Sequence, residues 1–250
     1  MLFTLLVATF SLAVSPLVSA SPMPITRSSH LVLPAPQLGV RGQAPPSVLP
    51  NKPSRRGGSN YKGYILAQGP SGGFSYVNGT TNGDGIFGSS LLNTTTGALE
   101  VSFEAELYDN NSVASYITLD VKSPHSAVNK QYPYVAAVRG FYNSGDGNLN
   151  ATSRNYAYLS LSSEQIEPGP SAVGPSLFNS HYSINETEET AIWTLATEDQ
   201  SLGAQWIGSD NTLTPIAFIA SQGQILLTGN ATAFIEYFGG EQIFLFFDGQ

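Results

Sequence analysis

The sequence alternates strictly between apolar and polar residues at Leu99-Glu100-Val101-Ser102-Phe103-Glu104-Ala105-Glu106-Leu107. A period of two places successive side chains on opposite faces of an extended strand, so one face meets a core and the other meets water. Shorter runs rich in β-branched and aromatic residues follow along the chain. The pattern predicts a protein built mainly from strands.

Turn clusters rich in Gly, Asn, Asp and Pro separate these runs, and no segment shows the caps of a convincing amphipathic helix. The further runs predicted as strands are Val113–Val121, Tyr132–Val138, Tyr156–Leu161, Ala191–Leu195, Ile216–Ile219, Ile225–Leu227, Ala233–Phe238 and Ile243–Phe247. Their number and spacing predict one all-β domain over residues 57–250, an antiparallel β-sandwich or jelly roll. A β-trefoil, which has a similar number of strands, is the alternative.

The first 20 residues, MLFTLLVATFSLAVSPLVSA, are apolar and end in small residues. This pattern is typical of a secretory signal peptide with cleavage after Ala20. An N-terminal membrane anchor is the alternative, but Pro16 and the small residues favour cleavage. We therefore expect a secreted protein, extracellular or bound to a cell wall, with no membrane association after cleavage.

Residues 21–56 contain eight of the 16 prolines, five of the 10 basic residues and no acidic residue. Such a composition cannot bury enough apolar surface to fold and favours an extended backbone. The dibasic pair Arg55-Arg56 ends the segment. Cleavage after Arg56 would make it a propeptide, and without cleavage it would be a linker.

The composition of the 250-residue chain excludes several chemistries. Charged residues make up 11% and hydrophobic residues 41%, so the chain can bury a core. It has no cysteine, which excludes disulfides, thiolate–metal sites and thiol catalysis. It has three histidines, too few for a His-rich metal site. The net charge of −8 repels phosphate backbones and makes nucleic acid an unfavourable partner.

Six N-x-S/T sequons fall at predicted loops or strand ends, where a glycan can project into solvent. They are centred on Asn78, Asn93, Asn110, Asn150, Asn185 and Asn230. We expect an N-glycosylated protein in which some or all of these sites are occupied.

The glutamates Glu100, Glu104 and Glu106 share the polar face of the alternating stretch. Paired carboxylates can supply the acid and the nucleophile for glycoside hydrolysis. One jelly-roll glucanase family places Glu-x-Asp-x-Glu on such a strand, and residues 100–104 resemble that spacing with Ser102 in place of the aspartate. A solvated outer strand face without a function is the alternative that we favour.

Asp146 and Asn148 place oxygens at alternate positions of a loop, as calcium loops do. The loop lacks the following glycine and the distant bidentate glutamate of an EF-hand. We therefore expect no obligatory cofactor, with calcium as the metal most compatible with the sequence.

The two tryptophans, Trp193 and Trp206, are candidates for stacking on the apolar face of a sugar. Gln205 and Asp210 lie near Trp206 and could supply hydrogen bonds to hydroxyl groups. Packing of both indoles in the core is the alternative. Tyr156 and Tyr158, which share one strand face, are further stacking candidates.

Several short runs in the domain resemble a group of functionally uncharacterised secreted proteins of mushroom-forming (basidiomycete) fungi. These runs are Ile86-Phe87-Gly88, Leu99-Glu100-Val101-Ser102-Phe103, Asn155-Tyr156-Ala157-Tyr158, Thr190-Ala191-Ile192-Trp193-Thr194, Gln205-Trp206-Ile207 with Asp210, and Leu226-Leu227-Thr228-Gly229-Asn230. The resemblance implies a secreted fungal protein and brings no site residues with it.

The low charge and the many Ser, Thr, Asn, Gly and aromatic residues favour a surface that handles neutral polysaccharide or cell-wall glycan. We expect non-catalytic carbohydrate binding. A glycoside hydrolase that uses Glu104 with Glu100 or Glu106 is one alternative, and a structural or interaction protein of the fungal cell wall is the other.

Overall fold

The computed structural model describes residues 59–105, 113–122 and 130–250, all within one compact unit. The predicted signal peptide with its cleavage site at Ala20 lies outside the described residues, as does the segment 21–56 with Arg56. Glu106 and Asn110 also lie outside them.

Within the described residues, sixteen strands and two complete helices are defined. The strands are β1 (Ser59–Gln68), β2 (Phe74–Val77), β3 (Leu91–Leu92), β4 (Glu100–Ala105), β5 (Val113–Ile117), β6 (Asp120–Val121), β7 (Tyr134–Arg139), β8 (Tyr156–Ser162), β9 (Ala172–Val173), β10 (Thr187–Glu189), β11 (Trp193–Ala196), β12 (Ser201–Ile207), β13 (Leu213–Pro215), β14 (Ala217–Ser221), β15 (Gln224–Thr228) and β16 (Glu241–Gly249). The helices are α1 (Leu177–Tyr182) and α2 (Ala231–Phe238).

Eight antiparallel strands close into a barrel in the order β1-β4-β6-β7-β8-β15-β14-β16. Closure comes from the nine-residue strand β16, which pairs with β14 through Ile243 and with β1 through its later residues, including Phe247 opposite Ile65. Of the remaining strands, β2 and β3 extend beside β1, and β12, β11 and β5 extend beyond β16. Strand β10 pairs with β7 and with β9, and β13 pairs with β12. The all-β prediction is confirmed. The sandwich or jelly roll is not confirmed, because the sheet closes on itself.

The main core fills the inside of the barrel. Alternate side chains of each strand point inward and form it. Val101, Phe103 and Ala105 of β4 are buried there, which confirms the face predicted from the sequence. Every other strand of the barrel except β6 likewise places at least one buried residue in this cluster, and Val121 of β6 packs against it.

The outer surface of the barrel has two contrasting faces. On β7, β8, β14 and β15 the outward side chains are buried under the two helices, and we call this the helix-covered face; it contains Ala136, Val138, Tyr156, Tyr158, Ile219 and Leu226, with Phe178 of α1 and Phe234 of α2 above them. On β1, β2 and β16 the outward rings are not buried, and we call this the open aromatic face; it contains Tyr64, Phe74, Tyr76, Phe244 and Phe246.

Residues 233–238 form most of α2, so the strand predicted there is wrong. Asn230 caps this helix, since its Oδ1 accepts the Ala233 N–H at 3.0 Å. Phe234 and Phe238, one turn apart, both place their rings against Tyr156, at 5.5 and 5.6 Å between centroids. A run of six residues is too short for its period to separate a strand from a helix.

Neither of these two helices is long and apolar enough to cross a membrane.

Candidate functional site

Both tryptophans lie in the main core and are 1% exposed. The Trp193 ring stacks parallel to Phe218 with 6.0 Å between centroids. Neither indole presents a ring face to solvent, so the stacking platform expected from the sequence is absent from their positions. Their placement is that of the core alternative, because β11 and β12 both turn these positions toward the interior.

The polar residues expected beside Trp206 do not gather around it. Gln205 is its neighbour on β12 and points to the opposite face, as adjacent strand residues do. Asp210 lies in an exposed turn, where its Oδ1 accepts the Thr212 N–H at 2.9 Å. This hydrogen bond lowers the pKa of Asp210. Neither Gln205 nor Asp210 therefore forms a shared site with the Trp206 ring.

The glutamate row lies on the outer side of β4. Glu100 is paired with Lys62 of β1, with 2.6 Å between Nζ and Oε1, and Glu104 is exposed. Ser102 lies between them on the same face. Ser102 is buried and Glu100 is only partly exposed, so among the described residues of this row only Glu104 is solvent-exposed. The row is therefore only partly the solvated strand face that was expected from the sequence. Glu106, the third member of the row, is outside the described residues.

The calcium candidates Asp146 and Asn148 are hydrogen-bonded to each other. The Asp146 carboxylate accepts both the backbone and the side-chain amide of Asn148, at 3.0 and 2.6 Å. The Asn148 side chain also accepts the Ser209 N–H at 3.1 Å and so joins two loops. Within the ranges that the structure describes, no three His, Cys, Asp or Glu residues lie close enough to hold a metal.

The sequons differ in exposure and local geometry. Asn93 and Asn185 are exposed, whereas Asn78, Asn150 and Asn230 are half-buried. At Asn78 and Asn150 the side-chain oxygen accepts the backbone N–H two residues later, at 2.9 and 3.0 Å. This Asx turn leaves the amide nitrogen free to point outward.

Two consecutive buried glutamates were not singled out from the sequence. Glu189 faces the core, and both of its carboxylate oxygens accept the Ile207 N–H, at 3.2 and 3.3 Å. Burial raises its pKa to about 9. Glu188 faces the other side of β10, where it accepts the Ser162 hydroxyl at 2.6 Å, and burial raises its pKa also. Because they point to opposite faces, they do not form a catalytic pair.

The structure instead brings aromatic and amide side chains together at the edge of the helix-covered face. A cleft of about 80 Å³ opens there between β8, the β14–β15 hairpin and α2, and we call it the tyrosine cleft. It is lined by Tyr142, Tyr156, Tyr158, Ser221, Gln222, Gln224, Leu226, Phe234 and Phe238. Tyr142 stands at its rim with 74% of its surface exposed.

The hairpin that borders the cleft carries backbone strain at Gln222. Its φ is 50° and that of Gly223 is 77°, so both central residues of this two-residue turn lie in the left-handed region. Asn, Asp and Gly are the residues that suit such a turn, and a longer side chain is disfavoured. Strained residues are concentrated at functional sites. Gln222 is exposed and lines the cleft.

The cleft is electrically neutral. None of the described residues that line it is charged. The hydroxyl groups of Tyr156 and Tyr158 lie 3.1 Å apart and hydrogen-bond to each other, and burial raises the pKa of both phenols. Both therefore stay protonated at physiological pH. The described lining of the cleft can offer ring faces, hydroxyl groups and amides to a ligand, but it offers no charged group.

The sequence indicated part of this site. The shared face of Tyr156 and Tyr158 was expected from their spacing, and both tyrosines line the cleft. Tyr142 and Gln222 were missed because each lies in a turn, where periodicity carries no signal. A glutamine before glycine between two apolar runs was the available signal, since that position demands a positive φ.

No protein-family model matches the chain, and no curated protein or solved structure matches it.

Proposed function

We propose that this protein binds neutral carbohydrate at the tyrosine cleft and does not change it chemically. The observation that carries the proposal is the exposed Tyr142 ring beside an uncharged cleft with the two glutamines Gln222 and Gln224. Tyrosine offers a large apolar ring with a polar tip and loses little conformational entropy when it is ordered. Sugars present the complementary surfaces, an apolar ring face edged with hydroxyl groups.

The size of the cleft suggests how such a ligand would enter. A volume of about 80 Å³ accommodates part of one sugar ring and not a buried chain segment. The ring would lie on Tyr142 while the amides of Gln222 and Gln224 donate to and accept from its hydroxyl groups. The absence of charge among the lining residues favours neutral sugars over acidic ones.

Extracellular polysaccharide or cell-wall glycan is the ligand class that fits a secreted, glycosylated protein. The apolar leader at 1–20, which ends in small residues at Ala20, and the six sequons support this location. No carboxylate pair is found among the described residues that line the cleft, and Glu100 is held by Lys62 on another side of the barrel. These placements favour binding over hydrolysis.

The open aromatic face favours a second function, that of a structural or interaction protein of the wall. Phe74 and Phe244 are 55% and 47% exposed, and Phe74 contacts Phe246 at 5.1 Å between centroids. Exposed apolar patches of this kind commonly mark interaction surfaces. This function needs no ligand in the tyrosine cleft.

The test is depletion of the secreted full chain by insoluble β-glucan, chitin and mannan, with released reducing sugar measured in the supernatant. We expect binding without release, and we expect Tyr142→Ala to weaken it at least about tenfold. Phe244→Ala is the matched control and should bind normally. Binding that Phe244→Ala abolishes and Tyr142→Ala does not would support the interaction surface instead. Release of reducing sugar would overturn the proposal.

A further inference from the structure

A second and larger depression lies on the other side of α2. It has a volume of about 490 Å³ and is lined by Ser144, Thr152, Ser153, Arg154, Ala233, Glu236 and Tyr237. The Arg154 guanidinium lies 3.8 Å from the centroid of the Tyr237 ring and supports it from one side. Tyr237 is nevertheless 61% exposed. We call this depression the Arg–Tyr groove.

The sequon Asn150-Ala151-Thr152 ends inside this groove. Thr152 lines it, and both the N–H and the hydroxyl of Thr152 donate to Asn150 Oδ1, at 3.0 and 2.9 Å. The Asn150 side chain is therefore held at the edge of the groove by its oxygen. No hydrogen bond among the described residues uses its Nδ2 atom, the atom that carries an N-linked sugar.

The neighbouring sequon at Asn230 is arranged differently, although the two lie close together. Gly229 packs against the backbone of Asn150, and Asn230 Nδ2 donates to the Ala151 carbonyl at 2.7 Å. Asn230 Oδ1 caps α2. Both ends of the Asn230 amide thus serve the fold, whereas Asn150 keeps its nitrogen available.

We propose that the Arg–Tyr groove holds the first sugars of an N-linked glycan attached to Asn150. The modification forms a bond between Asn150 Nδ2 and C1 of an N-acetylglucosamine. The bond from C1 to the pyrophosphate of a lipid-linked oligosaccharide donor breaks, the pyrophosphate leaves with the electron pair, and the amide proton passes to a base of the transferase. The proposal rests on secretion of the chain and is independent of any ligand in the tyrosine cleft.

The chemistry of the groove matches a 2-acetamido sugar. The exposed side of Tyr237 can pack on the apolar face of the sugar ring, and the Arg154 stack on its other side fixes the ring in place. The acetamido group carries one acceptor and one donor. Arg154 supplies donors and Glu236 supplies an acceptor, and both line the groove.

The test uses the full chain secreted from a eukaryotic host. Peptide N-glycosidase in heavy-oxygen water converts each glycosylated asparagine to a labelled aspartate, so mass spectrometry reports occupancy and release rate at every sequon. On the folded protein we expect release at Asn150 to be about tenfold slower than at the exposed Asn93, because ring packing shields the linkage. After denaturation the two rates should be equal.

Tyr237→Ala should raise the native release rate at Asn150 to that at Asn93, and Tyr237→Phe should keep it slow. Tyr142→Ala, which removes an exposed tyrosine from the other cleft, is the matched control and should leave it unchanged. If Tyr237→Ala is not secreted, Arg154→Gln takes its place with the same expected acceleration. An unmodified Asn150, equal native rates at Asn150 and Asn93, or no effect of these variants would overturn the proposal.

Discussion

The helix-covered face and the open aromatic face are built from the same barrel wall with the same alternation, yet only one of them is buried. On the helix-covered face, Phe178 of α1 and Phe234 of α2 pack on Tyr156 and Tyr158 and form a second apolar cluster. On the open face the phenylalanines of β2 and β16 remain in contact with water.

This difference separates aromatic residues that hold the fold from those available for recognition. A ring removed from water on both sides contributes the full free energy of burial, whereas a half-exposed ring contributes only in proportion to the area that it buries. The tyrosine cleft contains both buried and exposed rings. Tyr156 and Tyr158 form its floor and are buried in the helix-covered face, whereas Tyr142 stands at its rim and is exposed to solvent.

The largest expected effect is at Phe178, which is fully buried and contacts the rings of Phe141, Tyr158 and Tyr182 at 4.9, 4.8 and 5.0 Å between centroids. Phe178→Ala should lower the free energy of unfolding by about 4 kcal/mol, because it leaves a cavity under α1. Urea denaturation followed by tryptophan fluorescence measures this. A loss below about 1 kcal/mol would show that the helices do not stabilise the covered face.

The next largest effect is the pH dependence of stability that the buried Glu189 of β10 produces. The pKa of Glu189 is about 9 in the folded protein and near its ordinary value of about 4.3 in the unfolded chain. Between these values the folded state holds a proton that the unfolded state has released, so stability is greatest at acidic pH and declines as pH rises toward 9. Glu189→Gln should raise the free energy of unfolding at pH 6.5 by about 3 kcal/mol and change it little at pH 4.

Thermal unfolding of wild type and Glu189→Gln from pH 4 to pH 9 checks this prediction. Glu188→Gln is the comparison from the covered side of the strand, where the Ser162 hydroxyl donates to the carboxylate and offsets part of the burial. It should therefore flatten the pH dependence less than Glu189→Gln. Parallel curves for wild type and Glu189→Gln would contradict the assignment.

A smaller effect is expected at the rim of the tyrosine cleft. Gln222→Gly relieves a positive φ and should stabilise the protein by about 1 kcal/mol while weakening carbohydrate binding. Gln200, whose φ is 60°, is exposed in another turn and provides the control. Gln200→Gly should stabilise the protein similarly without affecting binding. Denaturation and the polysaccharide depletion assay, run on both variants, measure the two quantities, and unchanged binding by Gln222→Gly would remove Gln222 from the site.

The smallest effect on stability is expected on the open aromatic face. Phe244→Ser should change the free energy of unfolding by no more than about 0.5 kcal/mol, because the ring is already half in water. The same urea titration that tests Phe178 measures it. A cost like that of Phe178→Ala would mean that the open face is covered in solution, and sedimentation velocity would then show an assembly.

Prediction from sequence succeeded where a side chain's environment follows from its strand position alone. The core face of β4 and the shared face of Tyr156 and Tyr158 were both expected. It failed where local patterns are ambiguous, as at residues 233–238, which satisfy both a short strand and a capped helix. It also failed to foresee that Glu188 and Glu189, which look like solvent residues, would be enclosed by strands distant in the chain.

The sequence by itself determined most of the strand content, the inward face of the alternating strands and the composition that excludes thiol and His-rich metal chemistry, because these depend on residue type and a period of two. Tertiary structure decided that the sheet closes, that both tryptophans go inside, and that Tyr142, Gln222 and Tyr158 meet at one cleft. These outcomes depend on which strands pair and in what register. Strand pairing depends on how much apolar surface the whole barrel buries. That depends on contacts between segments distant in the chain, so no single stretch of sequence reveals it.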